Sequence, residues 1–71
     1  MEINMSISLQ DNLAQFKGND ISLVLKNGTT IEGILKDINQ SIIHIEMLKG
    51  RDYFDAVIST SELASFVFKA R

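Results

Sequence analysis

The chain contains no cysteine, no proline and no tryptophan, and it has one histidine and one tyrosine among 71 residues. Without cysteine, disulfides and thiolate metal sites are excluded as sources of stability. Because His44 is the only histidine, no second imidazole or thiolate is present to complete a transition-metal site. The sequence therefore predicts a protein without a bound metal, and no cofactor is expected.

Long apolar runs and a basic amino-terminal region are also missing. The longest runs, such as residues 41–45, fall far below the roughly 20 residues that a membrane-spanning helix needs. The first residues lack both the basic and the apolar region of a secretory signal. We therefore expect a cytoplasmic protein with no membrane partner. The net charge of −2 supplies no overall attraction to nucleic acid, so binding to RNA would require a local basic patch.

The chain is nevertheless rich in apolar residues, which make up 45% of it, against 23% charged residues. This composition is typical of a folded domain. Its length allows one domain, residues 1–71, with residues 1–7 and 69–71 as flexible ends. A domain of this size buries only roughly 60% of its unfolded surface. Since no covalent staple is available, we expect it to gain stability by self-association.

The most informative segment is residues 21–33, which reads as strand, turn and strand. Asn27-Gly28 is a strong hairpin signal and predicts a type I′ turn, in which both central residues have positive φ. Gly33 interrupts the second strand. A glycine there indicates a sharp bend or the close approach of another backbone. A bent hairpin in so short a chain favours a small, strongly curved β-barrel.

A helix of about ten residues is predicted before this hairpin. Ser8 is placed to cap its first turn, and Gly18 follows its last turn. One face of the helix carries an apolar stripe that must lie on the sheet, formed by Leu9, Leu13 and Phe16.

Period-two alternation predicts five strands, over residues 21–26, 30–37, 41–48, 53–60 and 63–68. Ile38 is out of phase with strand two, which indicates a bulge near Lys36 and Asp37. The predicted fold is mainly β, an N-terminal short helix followed by a strongly bent five-stranded antiparallel small barrel. No proline protects the edge strands, so strand four of one copy and strand five of the next could pair and close a ring.

Three segments in this order resemble the Sm-like superfamily, and within it bacterial Hfq. Leu9-Gln10-Asp11 resembles the opening of the Hfq helix. Residues 25–33 match the Leu-x-Asn-Gly-x-x-Leu-x-Gly hairpin, with isoleucine in place of the second leucine. Residues 54–60 are similar to the Tyr-Lys-His-Ala-Ile-Ser-Thr segment of Hfq strand four. The resemblance covers roughly residues 8–68.

The resemblance implies a non-enzymatic homo-oligomeric ring of about five to seven subunits, closed through strands four and five. Such rings bind single-stranded RNA. We expect repeated weak contacts to RNA near one rim of the pore, with two basic residues adding charge. The candidate residues are Gln10, Asn39, Gln40 and Ser41 at the rim, together with Lys49 and Arg51.

Several positions depart from the family pattern. Ser41 stands where the family has a side chain that stacks on a base, a contact worth about 1–3 kcal/mol. Asp55 and Ala56 stand where Hfq has Lys-His, and a carboxylate there repels phosphate. These departures favour an alternative, a protein-binding or structural ring that has lost the RNA pocket of the family.

Other candidate sites have simpler interpretations. His44 shares a face with Ile42 and Glu46, as expected for a packed histidine at the edge of solvent. Since no activated nucleophile can be assembled, no catalytic residue is predicted. Tyr53 beside Phe54 could stack a base, although packing between subunits is the favoured interpretation. The local basic groups either form a positive band around a ring or only keep it soluble, namely Lys49, Arg51, Lys69 and Arg71.

Overall fold

The computed structural model describes residues 2–70 and confirms the predicted fold class. A short helix precedes five antiparallel strands that form one strongly bent sheet. Met1 and Arg71, which belong to the expected flexible ends, lie outside the described residues. The elements are α1 Leu9–Ala14, β1 Asp20–Leu25, β2 Thr30–Ile38, β3 Ile42–Glu46, β4 Ala56–Ser59 and β5 Leu63–Phe68, with a 3-10 helix over Thr60–Glu62 between β4 and β5.

The helix begins where the sequence predicts but ends earlier. The hydroxyl of Ser8 accepts the Asp11 backbone N–H at 3.0 Å and so caps the first turn. Regular α-helix ends at Ala14, and turns continue to Gly18, which has φ +88°. Leu13 and Phe16 are buried, whereas Leu9 is 42% exposed because it lies on the first, outer turn. The apolar stripe is therefore confirmed at two of its three positions.

The β1–β2 turn differs from the predicted type I′ geometry. Gly28 has φ +88°, but Asn27 is not among the residues with positive φ. The Gly28 N–H donates to the Leu25 carbonyl at 2.9 Å, and the Leu25 N–H donates to the Thr29 carbonyl at 2.8 Å. The hairpin thus uses a longer loop with one left-handed glycine, and the Asn27 side chain supports it by accepting the Thr29 N–H at 2.9 Å.

The sheet bends at the two features expected from the sequence. A Cβ atom added to Gly33 would lie 2.6 Å from Cγ2 of Ile45 and 2.8 Å from the carbonyl oxygen of Glu46. Only glycine allows β2 and β3 to approach so closely at this point. Further along β2, the pairing with β3 shifts register between Leu35 and Asp37, which confirms the bulge.

Strands β3 and β4 are shorter than predicted. The predicted end of β3 and the predicted start of β4 instead form a loop over residues 47–55. In this loop Met47 has φ +54° and Tyr53 has φ +66°. Left-handed residues interrupt strand geometry, and the loop turns Met47 and Phe54 toward solvent. Period-two alternation over the predicted strands places Met47 on the same face as Ile43 and Ile45, and Phe54 on the same face as Ile58. The three isoleucines are buried, whereas Met47 and Phe54 are exposed because they lie in the loop.

The strand order is β4-β3-β2-β1-β5, so β4 and β5 are the two edges of the sheet. The turn that follows the helix packs beside β5, where the ring centroids of Phe16 and Phe68 lie 4.5 Å apart. Val57 on β4 and Val67 on β5 are 63% and 61% exposed. The core consists of Leu13, Phe16, Ile21, Leu23, Leu35, Ile43, Ile45, Ile58 and Leu63.

Candidate nucleic-acid interface

A polar cluster forms where the β2–β3 turn meets the helix and the 3-10 helix. Nε2 of Gln10 and the hydroxyl of Thr60 both donate to the Asn39 carbonyl oxygen, at 2.9 and 3.1 Å. The Thr60 N–H donates to the Ser41 carbonyl at 2.9 Å. Three segments far apart in sequence therefore meet at one point. We call Gln10, Asn39, Gln40, Ser41 and Thr60 the turn cluster.

The Asn39 side chain stabilises the turn in which the turn cluster lies. Oδ1 of Asn39 accepts the backbone N–H groups of Ser41 at 2.7 Å and Ile42 at 2.8 Å. This is the local bonding that asparagine commonly provides in turns. Within residues 2–70, hydrogen bonds leave free the Asn39 side-chain N–H₂, the Gln40 amide and the Ser41 hydroxyl. These exposed groups are the ones able to contact a ligand.

Lys49 and Arg51 lie apart from the turn cluster. They follow β3, whereas Ser41 precedes it, and five residues at about 3.4 Å each separate the two groups by roughly 17 Å. Nζ of Lys49 is 3.6 Å from Oε2 of Glu32, and the Arg51 guanidinium lies 4.6 Å from the centroid of the Phe54 ring. The six candidate residues are thus divided between two ends of the sheet.

Two further lysines, Lys17 and Lys36, are each paired with a carboxylate, which offsets their positive charge. Lys17 pairs with Asp37 at 3.2 Å, and Lys36 pairs with Glu46 at 3.5 Å. The backbone N–H of Ile38, followed by Lys17, lowers the pKa of Asp37 below its usual range. Asp37 stays ionised at neutral pH two residues before Asn39, where it repels an approaching phosphate.

A second carboxylate, Asp55, is occupied by a partner that sequence reasoning did not find. Its Oδ2 lies 2.9 Å from Nε2 of His44, and this contact lowers the pKa of Asp55 below its usual range. The pairing of β3 with β4 explains why His44 and Asp55 meet. His44 pairs with Val57, so Asp55, two residues earlier, is its diagonal neighbour across the strands. Thr60, the other residue that the sequence pattern does not identify, is the last residue of predicted strand four and begins the 3-10 helix in the structure.

A metal-binding group is not assembled in the part of the chain that the structure describes. In residues 2–70, His, Asp and Glu side chains form no group of three or more able to hold a metal ion. No helix in the same range is long and apolar enough to cross a membrane.

The chain was compared with protein-family models, curated proteins and solved structures. Nothing in any of the three groups matches it.

Proposed function

We propose that this protein is a non-enzymatic, cytoplasmic subunit of an Sm-like ring that binds single-stranded RNA. The observation that carries the proposal is the position of β4 and β5 at opposite edges of one bent sheet. Each edge presents backbone groups that need a partner, and pairing β4 of one copy with β5 of the next satisfies both. A head-to-tail contact of this kind closes into a ring when the rotation between copies permits.

Exposed apolar side chains support assembly at these edges. Val57 on β4 and Val67 on β5 are more than half exposed, and Ile42, which pairs with Ser59 of β4, is 46% exposed. Charged residues or proline protect the edges of many monomeric sheets. Neither protection is present on β4 or β5, because both strands consist only of apolar residues and serine.

The turn cluster supports RNA as the ligand of such a ring. In one copy it offers a few free amides and a hydroxyl, which make a weak contact with bases or riboses. A ring of about five to seven copies multiplies that contact along one strand, and the linked contacts give avidity. Lys49 and Arg51 would add charge on a separate surface.

A protein-binding or structural ring is the second candidate. The Asp55–His44 pair favours it, since the position that Hfq fills with Lys-His carries here a carboxylate held ionised. Asp37, which is ionised and lies near the turn cluster, also favours a protein-binding ring because its charge repels RNA phosphate. For such a ring, the free polar groups of the turn cluster would contact a protein partner.

Two measurements test the proposal. Light scattering over a range of concentrations gives the mass in solution, and we expect a ring that Val57→Lys reduces to a folded monomer. Met5→Lys is the control, because Met5 is 91% exposed and lies outside both edge strands. A wild-type protein that is monomeric at every concentration would contradict the ring.

RNA binding is tested separately with labelled U-rich and A-rich oligonucleotides at low salt. Gln40→Glu adds a carboxylate to the turn cluster, and we expect at least about tenfold weaker binding, or about 1.4 kcal/mol. Thr29→Glu makes a similar charge change at the opposite end of β2 and should have little effect. If neither oligonucleotide binds micromolar wild-type ring, RNA is not the ligand and the protein-binding ring is favoured.

A further inference from the structure

Tyr53 combines an exposed ring with an unusual backbone. The residue is 95% exposed, and its φ of +66° is left-handed. For a residue with a bulky side chain this conformation is uncommon and costs free energy. An aromatic ring held in water at that cost indicates a contact that the isolated chain does not make.

The loop over residues 47–55 holds Tyr53 in place through its own hydrogen bonds. The Leu48 N–H donates to the Phe54 carbonyl at 2.9 Å, and the Phe54 N–H donates to the Arg51 carbonyl at 3.1 Å. The carboxylate of Asp55 accepts the Met47 N–H at 3.2 Å. Both ends of the loop are therefore anchored, and the loop carries Tyr53 and Phe54 at adjacent, exposed positions.

A groove of about 660 Å³ lies at the C-terminal end of β5, within the size range of ligand pockets, about 300–1,000 Å³. Gly33 forms part of its wall because it has no side chain. The groove extends to the open edge of β5, and its lining includes Ile21, Gly33, Met47, Val67, Phe68 and Lys69.

Antiparallel pairing between copies would bring the 47–55 loop of one copy to the groove of the next. Every pairing within the sheet is antiparallel. If β4 of a second copy adds to β5 in the same manner, its Ser59 lies toward Leu63 and its Ala56 lies toward Phe68. Phe54 and Tyr53 lie two and three residues before Ala56, so they extend past Phe68 to the position of the groove.

We propose that the Tyr53 and Phe54 rings of one copy occupy the β5-end groove of the neighbouring copy. This inference rests on the proposed ring and identifies an aromatic anchor for it. Buried aromatic side chains commonly carry much of the binding energy of an interface. The charges are compatible, since Arg51 and Asp52 flank the anchor while Asp20 and Lys69 line the groove. The other two charged residues of its lining, Glu32 and Lys49, pair with each other at 3.6 Å.

Tyrosine fluorescence tests the anchor directly. Tyr53 is the only tyrosine and the chain has no tryptophan, so tyrosine emission reports on this residue alone. We expect acrylamide to quench the assembled wild-type protein severalfold less than the Val57→Lys monomer. Tyr53→Asn removes the ring but tolerates left-handed backbone. It should weaken assembly by about tenfold or more, whereas Tyr53→Phe should restore it and the exposed control Met5→Asn should leave it unchanged.

The possible outcomes separate this inference from the proposed function. An assembled ring with protected Tyr53 supports the anchor. A ring whose Tyr53 is as quenchable as in the monomer, or whose assembly is unchanged in a folded Tyr53→Asn variant, overturns the anchor and leaves the ring intact. Protection that appears only after single-stranded RNA is added overturns it in favour of base stacking. A wild-type monomer at every concentration overturns both proposals.

Discussion

Asp55 connects two parts of the chain through one carboxylate: Oδ2 lies 2.9 Å from Nε2 of His44, and Oδ1 accepts the Met47 N–H at 3.2 Å. The first contact joins the residue before β4 to the middle of β3. The second stabilises the left-handed residue at which β3 ends. A side chain at a position where the Sm-like resemblance implies a phosphate contact is thus used here to hold the loop that carries Tyr53.

The Asp55 contacts predict a pH dependence of stability. Because hydrogen bonding to His44 lowers the pKa of Asp55 in the folded state, this contribution is fully present above the unfolded pKa of about 3.9. It is lost as the pH falls through the lower folded pKa. Asp55→Asn should therefore reduce the free energy of unfolding at pH 7, and the difference from wild type should shrink below about pH 3.9. Urea unfolding at pH 7 and pH 3 measures both effects.

Asp52→Asn is the matched control for this experiment. Asp52 lies in the same loop, and its side chain makes no hydrogen bond or ion pair within residues 2–70. We expect this variant to follow the wild-type curve at both pH values. A constant difference between Asp55→Asn and wild type across the range would show that Asp55 does not act through its charge.

Gly33→Ala should destabilise the fold strongly. The new Cβ would meet the backbone carbonyl of Glu46 at 2.8 Å, and a backbone atom cannot move away as a flexible side chain can. Overpacking commonly costs about 1–3 kcal/mol, and we expect the upper end of this range or more. Thermal unfolding followed by circular dichroism measures the loss. Gly28→Asn, at a left-handed turn position with open space around it, should change stability little, and equal effects of the two substitutions would contradict the close approach at Gly33.

Asn12→Ala should release the segment that precedes the helix. Asn12 is buried, and its side chain accepts the Asn4 N–H at 2.8 Å and donates to the Asn4 carbonyl at 2.9 Å. Leaving such groups without partners costs about 1–3 kcal/mol. We expect a lower free energy of unfolding and faster amide exchange at Asn4. Asn4→Ala is the control, since it keeps the backbone groups that Asn12 binds, and similar exchange in both variants would show that Asn12 does not hold the segment.

Ser8→Ala should remove the helix cap. The substitution leaves the Asp11 N–H without the hydroxyl that accepts it, which costs about 0.5–2 kcal/mol. In a domain of this size each kcal/mol corresponds to roughly 4–8 °C in Tm. Differential scanning calorimetry of Ser8→Ala and Ser6→Ala distinguishes the cap from a nearby exposed serine. An unchanged Tm in Ser8→Ala would mean that the cap adds nothing to stability.

Features that depend on neighbouring residues were determined by the sequence alone. Local sequence pattern predicts the Ser8 cap, the range of β5 and the bulge before Asp37. It also places Ile43 and Ile45 on one face of β3, and both are buried. Each depends on backbone preference or on period-two alternation, which act over a few residues. Gly33 belongs with them, because a glycine within a strand indicates a close approach even when the approaching segment is unknown.

The tertiary structure alone decided which distant groups meet. Gln10 and Asn39 are separated by 29 positions, and Thr60 and Asn39 by 21, so no local pattern predicts that they share one carbonyl oxygen. The left-handed residues Met47 and Tyr53 shortened two strands because contacts across the loop outweighed strand propensity. The division of the candidate residues between two ends of the sheet has the same origin. Strand order and bend determine which side chains become neighbours, and both are properties of the whole sheet rather than of any one segment.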